Sequence, residues 1–141
     1  MNVTGRQRQV HLMFCEVPTD DPSICGPNRP LIGAVLHELD ARAAEDRHPG
    51  AGVHWIDVDI TGDRGAREQS DVWVAVEADA FHERPEEDTD PVAVFGSGRL
   101  GRDWIAARAR RGETYRLWRV PLGPVDIERP VWTDETTVRG D

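Results

Sequence analysis

Strand-forming runs alternate with two helical runs in this chain, and their order restricts the fold more than any other feature. Apolar residues fill both faces of residues 9–17, which is typical of a central strand. The next apolar positions have the spacing of one buried helix face within residues 31–47: Ile32, Val35, Leu36, Leu39 and Ala43. A second strand pattern follows at 53–60. This order of strand, helix and strand predicts a right-handed parallel crossover.

The rest of the chain continues the alternation. Further strands are predicted at 71–78, 91–95 and 114–121, and a second helix over 98–111. Ser97 is the expected N-cap of that helix. The strands at 71–78 and 91–95 are close enough in sequence to pair as an antiparallel hairpin.

These elements predict one domain, residues 1–141, of the α/β class, with a mixed β-sheet and flanking helices. Residues 9–111 are expected to form the core. Residues 112–141 add a C-terminal strand and an irregular tail, in which Trp132 docks back onto the domain.

Charge and hydropathy exclude several classes of function. The net charge of −9 argues against general nucleic-acid binding, which depends on neutralising phosphates. No apolar run is long enough to span a membrane or to act as a secretion signal, so we expect a cytoplasmic protein without membrane contact. The two cysteines are too few for a disulfide framework. All basic residues are Arg, which excludes mechanisms that need a lysine.

One motif connects the chain to a known family. The motif Cys25-Gly26-Pro27-Asn28-Arg29, with the apolar pattern that follows it, resembles the active-site helix of thioredoxin-like proteins. That family places Cys-Gly-Pro-Cys after its first central strand. The resemblance covers about residues 9–111 and implies a thioredoxin-like fold with a C-terminal extension. Asn28 stands at the second cysteine, and residues 69–71 lack the family's cis-proline. The resemblance therefore implies a degenerate scaffold.

The chemistry at Cys25 has two interpretations. If a helix begins at Cys25, the helix dipole and Arg29 would lower the thiol pKa, and Cys15 could act as a resolving thiol. If Asn28 caps the helix and Pro30 lies in its first turn, Cys25 falls outside the helix and loses that activation.

A glycine-rich loop suggests a cofactor site. The spacing Gly96-x-Gly98-x-x-Gly101 lies between a predicted strand and a predicted helix, as in dinucleotide-binding folds. A tight turn followed by a helix cap explains the same residues.

A carboxylate cluster is the candidate metal site. If the strands at 53–60 and 71–78 pair, acids of both strands would converge with a histidine of the following loop, and the predicted ligands are Asp57, Asp59, Glu77, Asp79 and His82. The alternation of a half-exposed strand explains these acids equally well.

Charges are unevenly distributed between two segments. Residues 77–90 are strongly acidic, and residues 96–120 are rich in Arg. The segments are either solvated faces that offset each other or docking surfaces for charged partners. We expect a non-catalytic accessory or regulatory protein that contacts another protein and needs no cofactor. The alternatives are a single-thiol redox or transfer enzyme and a small nucleotide- or metal-binding enzyme, so enzymatic activity stays open.

Overall fold

The computed structural model describes residues 8–19, 26–65 and 67–137. The described residues form seven strands and two α-helices. In chain order these are β1 (Gln9–Phe14), β2 (Leu31–Val35), α1 (Glu38–Arg47), β3 (His54–Thr61), β4 (Asp71–Glu77), β5 (Pro91–Phe95), α2 (Gly98–Ala109), β6 (Tyr115–Pro121) and β7 (Thr133–Asp134).

The predicted helix over 31–47 is wrong in its first part. Residues 31–35 form β2, which is buried along its whole length, and α1 begins only at Glu38. No helix begins between Gly26 and Pro30. Asn28 is therefore no helix cap, and its backbone exchanges two 2.8 Å hydrogen bonds with Val17. A short apolar run that is buried on both faces has no periodicity to distinguish a strand from a helix.

The strands form one mixed sheet in the order β2-β1-β3-β5-β4-β6-β7. All neighbouring strands pair antiparallel except β3 and β5. The predicted parallel crossover from the first strand to the strand at 53–60 is wrong, because β2 reverses the chain before α1. The predicted hairpin of β4 and β5 is confirmed. The α/β class with a mixed sheet and two helices is confirmed.

The chain repeats one arrangement of elements. The first unit (β1, β2, α1, β3) and the second unit (β4, β5, α2, β6) each have a hairpin, a helix and a strand that returns beside the first strand of the hairpin. Their hydrogen bonds correspond. The Ile60 amide donates to the Arg8 carbonyl in the first unit, and the Leu122 amide donates to the Ser70 carbonyl in the second, both at 2.9 Å. Leu122 therefore occupies the position of Ile60.

Two parallel contacts, which we call the first and second seams, join the two units. They curl the sheet until it closes. At the first seam β3 pairs with β5, Ile60 opposite Val94. At the second seam Leu122, just after β6, bridges Ala34 of β2 in the same parallel sense. The Gly123 amide then donates to the Ala34 carbonyl at 2.8 Å. The two seams are thus equivalent positions of a closed, duplicated fold.

The main core lies inside this curl. Its largest members with less than 2% exposure include Leu12, Ile60 and Trp118. A second buried cluster packs α1 against the outer face of β1 and β2 through Met13, Ala41 and neighbouring residues. The predicted docking of Trp132 is confirmed, since its ring stacks on Trp118 with 3.8 Å between centroids. Within the described ranges, neither helix has the length and apolar character needed to cross a membrane.

Candidate functional site

At the first seam, β3 and β5 form a short parallel contact and are separated along the rest of their length. β3 and β5 pair only at Ile60–Val94 and Thr61–Phe95. Ile56 of β3, which alternates with Val58 and Ile60 of the core, is 41% exposed, and Val92, at the irregularity of β5, is 39% exposed. Apolar side chains on the inner face of a curled sheet are normally covered. The divergence therefore creates an apolar opening into the fold, which we call the β3–β5 cleft.

The β3–β5 cleft holds a cavity of about 590 Å³. Its walls include Phe14, Arg29, His54, Ile56 and Pro91. The Phe14 and His54 rings stack with 5.6 Å between centroids and fix the side formed by β1 and β3.

Thr89 fixes the opposite wall of the cleft. The Leu31 amide donates to Thr89 Oγ1 at 3.1 Å, and the Thr89 amide donates to the Arg29 carbonyl at 3.1 Å. These bonds hold the end of the acidic loop against the start of β2. The cavity thus has preformed walls, as ligand sites usually do.

The β3 backbone presents unpaired groups to the cleft. In an antiparallel ladder, alternate residues direct their N–H and C=O groups to the partner strand and the others direct them to the opposite edge. The Ile60 amide bonds β1, so the groups of Trp55 and Asp57 face the opposite edge, and no described residue pairs with them there. Such an edge can accept a further strand.

The second seam shows what occupies the equivalent edge. Leu12 pairs with Ile56 in the first unit, and Val74 pairs with Trp118 in the second, so Trp118 corresponds to Ile56. Beside Trp118 the edge of β6 is covered by β7, which runs antiparallel to it. The Glu135 amide donates to the Leu117 carbonyl at 2.8 Å. The tail therefore fills at the second seam a position that none of the described residues occupies at the first.

Acidic side chains surround the cleft more than basic ones. Asp57 and Asp59 extend from β3, and Glu16 lines the cavity beside Arg29. Asp57 keeps 52% of its side chain exposed while it pairs with His11. Asp57 corresponds to Arg119 of the second seam. The edge of the cleft is thus negatively charged at a position that is positively charged in the second seam.

Part of the predicted metal cluster comes together around His82. Its Nε2 lies 3.0 Å from Glu77 Oε2 and 3.2 Å from Asp90 Oδ2, and its Nδ1 lies 2.8 Å from Asp79 Oδ1. Asp90 was missed, because it reaches His82 only through the β4–β5 hairpin. Within the described part of the chain, Glu77, His82 and Asp90 could hold a divalent cation, since their ligand atoms lie within 4.8 Å of one another. A proton on His82 satisfies the same contacts.

The other two predicted ligands do not join this group. Asp57 and Asp59 lie on β3, and β5 separates β3 from β4. The strands at 53–60 and 71–78 do not pair, so the condition for that convergence is not met. Asp57 and Asp59 instead contact His11 and Gln9 of β1.

The His82 cluster predicts a pH-dependent stability. The hydrogen bond to Asp79, followed by the charge of Glu77, raises the pKa of His82 above its ordinary value near 6.5. A raised pKa in the folded state stabilises the fold below about pH 6.5, and this contribution disappears as the pH rises through the folded-state pKa. We expect the His82→Gln substitution to lower the free energy of unfolding more at pH 5.5 than at pH 8.5, measured by urea denaturation. An equal loss at both values would contradict the ion-pair assignment.

Only two of the three residues of the predicted thiol site lie within the described ranges. Cys25 lies outside the described residues, and Arg29 lines the β3–β5 cleft. Cys15 is 3% exposed, and burial raises the pKa of its thiol. A high pKa and poor access both work against a role for Cys15 as a resolving thiol.

The glycine-rich loop is used for packing within the chain. A Cβ at Gly96 would lie 2.1 Å from the Gly62 carbonyl oxygen, and one at Gly101 would lie 2.6 Å from Leu117 Cδ1. Gly98 is close to Arg102 and to the Trp73 ring nitrogen. Ser97 is the predicted N-cap, and its side chain accepts from the Leu100 amide at 3.3 Å. Close packing and a helix cap account for these residues, while their role in cofactor binding stays a prediction.

Comparison with known proteins gives no relative. No family model matches the sequence, and neither the curated proteins nor the solved structures that were compared contain a match.

Proposed function

We propose that this chain is a non-catalytic accessory protein that binds an extended segment of a partner protein in the β3–β5 cleft. The observation that carries the proposal is that the two seams differ in what covers the strand edge. The tail covers the edge of β6 at the second seam, whereas no described residue pairs with the equivalent edge of β3, which lies beside an apolar cavity. Strand addition to such an edge is a common way to bind peptides, because backbone hydrogen bonds give affinity and side-chain pockets give specificity.

The chemistry of the cleft suits the binding of a peptide. Its lining combines apolar side chains with a few charged groups at the edge, as recognition sites do. The glycine-rich loop shares no residue with the lining of the cavity, whereas Asp90 of the His82 cluster lies between the lining residues Thr89 and Pro91. The thioredoxin-like scaffold and the activity of Cys25 stay predictions, and the proposed site needs neither.

Selection of peptides tests the proposal. A display library of random linear peptides is selected on the wild-type protein and on the Ile56→Arg variant. Ile56 is already 41% exposed, so the arginine is expected to block the cleft without unfolding the chain. Leu39→Arg is the matched control, because Leu39 is an 80% exposed apolar residue of α1 outside the cleft.

We expect wild type and Leu39→Arg to select the same peptides, and Ile56→Arg to lose at least about tenfold in affinity for them, a loss of about 1.4 kcal/mol. Circular dichroism checks that both variants are folded. If no peptide is selected, or if the selected peptides bind Ile56→Arg as tightly as wild type, the cleft is not the binding site.

A further inference from the structure

The second seam also indicates which kind of segment the β3–β5 cleft accepts; this inference rests on the proposed function. The tail residues 131–136 run along the edge of β6 and provide an internal example of a bound strand. Because the two units share one register, each residue of β6 that holds the tail has a counterpart in β3. The counterpart of Arg119 is Asp57, and that of Arg116 is His54.

The tail is held at the second seam by basic side chains of β6. Arg116 pairs with Asp134 at 2.8 Å, and Arg119 pairs with Glu135 at 3.6 Å. The Trp73 ring nitrogen adds a 3.0 Å hydrogen bond to Glu135. An acidic strand therefore fits the edge of β6.

The charge is reversed at one of these two positions of β3, whereas the other carries His54. Asp57 stands at the position of Arg119, and Asp59 and Glu16 add negative charge near the cleft. A strand with a carboxylate at the position of Glu135 would meet Asp57, whereas a lysine or arginine there would pair with it. Interfaces select partners in this way, through both attraction and repulsion.

The apolar contact of the tail has a counterpart as well. Trp132 stacks on Trp118, three residues before Glu135. At the first seam the smaller Ile56 replaces Trp118, and the cavity of about 590 Å³ beside it provides space for a large apolar side chain. An aromatic residue of the bound segment would fill that space, as aromatic residues do at the centres of interfaces.

We infer that the β3–β5 cleft binds an extended basic segment of a partner protein. This segment runs antiparallel to β3 and places an aromatic side chain over Ile56. Three residues later, at the position of Glu135, it carries a lysine or arginine that lies opposite Trp55 and reaches Asp57 diagonally, as Glu135 reaches Arg119. The same charge pattern disfavours the tail of a second copy, which carries Glu135 at that position.

Two synthetic peptides test this inference. The acidic peptide is residues 130–137 of this chain, and the basic peptide is the same sequence with lysine at the positions of Asp134 and Glu135. Binding of each labelled peptide is measured by fluorescence anisotropy to wild type, Asp57→Arg, Asp57→Asn, Ile56→Arg and the control Leu39→Arg.

We expect wild type and Leu39→Arg to bind the basic peptide about threefold to tenfold more tightly than the acidic one. Asp57→Asn removes most of this preference, and Asp57→Arg inverts it. The preference decreases when salt is raised from 0.05 to 0.5 M, since exposed charges are screened.

Other results separate the two proposals. If both peptides bind wild type and Asp57→Arg equally well and both are lost in Ile56→Arg, the cleft is the site and the inference of a basic partner is overturned. If neither peptide binds wild type while the library yields peptides that need Ile56, this inference is wrong and the proposed function stands. If binding of the peptides persists in Ile56→Arg, both are wrong.

Discussion

The Trp118→Ala substitution is expected to lower the free energy of unfolding by about 3–5 kcal/mol. Trp118 is 1% exposed, belongs to the core inside the curl and stacks on Trp132 at 3.8 Å. Its removal leaves a large cavity and frees the tail that covers the edge of β6. The free energy of unfolding of such a domain is about 5–15 kcal/mol, so this loss is a large share of the total. Urea denaturation measures it.

Trp118→Phe is the matched control. The Trp118 Nε1 atom is buried and has no hydrogen-bond partner among the described residues, so phenylalanine removes an unsatisfied donor while it keeps an aromatic ring. We expect this variant to lose much less stability than Trp118→Ala. A loss as large as that of alanine would show that stacking on Trp132 contributes little.

The Gly33→Val substitution is expected to open the second seam and to cost about 1–3 kcal/mol. A Cβ at Gly33 would lie 2.5 Å from the Pro124 carbonyl oxygen and 3.1 Å from the Val125 Cα. Both neighbours are backbone atoms, so the segment that follows β6 must move away from β2. The side chain has no free volume on that face of the strand.

Hydrogen exchange locates this effect. The amides of Gly123 and Asp126 donate to carbonyls of Ala34 and Ile32 across the second seam. We expect both amides to exchange faster in Gly33→Val, whereas the amide of Ile60, which belongs to the first unit, keeps its rate. Uniform acceleration at all three amides would indicate global destabilisation instead of local opening.

The elements with a distinct period could be predicted from the sequence. The strands at 53–60, 71–78, 91–95 and 114–121 and the helix at 98–111 lie within one or two residues of β3, β4, β5, β6 and α2. Ser97 was recognised because a short polar side chain before an apolar helical run is typical of a cap. Local chemistry determines these features.

The strand β2 could not be predicted in the same way. Leu31 to Val35 is apolar on both faces, and the positions from Ile32 to Ala43 fit the spacing of a helix. Pro30 and Gly33 were the available signals, because a proline and a glycine flank or interrupt this run and both weaken a helix. The error changed the topology, since a hairpin replaced a crossover.

The candidate site depends on contacts that no local pattern carries. Glu77, Asp79 and His82 are close in sequence and were predicted together, but Asp90 reaches them only through the β4–β5 hairpin. The cleft arises from the register between two units, and equivalent positions carry different side chains, such as Ile56 and Trp118 or Asp57 and Arg119. The residue types at equivalent positions therefore do not reveal the duplication, whereas the backbone hydrogen bonds do.

Closure of the second seam has a consequence for folding kinetics. The hairpins and helices of each unit form from contacts that are near in sequence, whereas the bridge of Ala34 to Leu122 joins positions separated by most of the chain. Such a contact forms slowly, because closing a long loop costs conformational entropy before the contact contributes any stabilisation. The folding rate is therefore expected to be set by the joining of the two units, and the edge of β2 can pair with other chains until that step is complete.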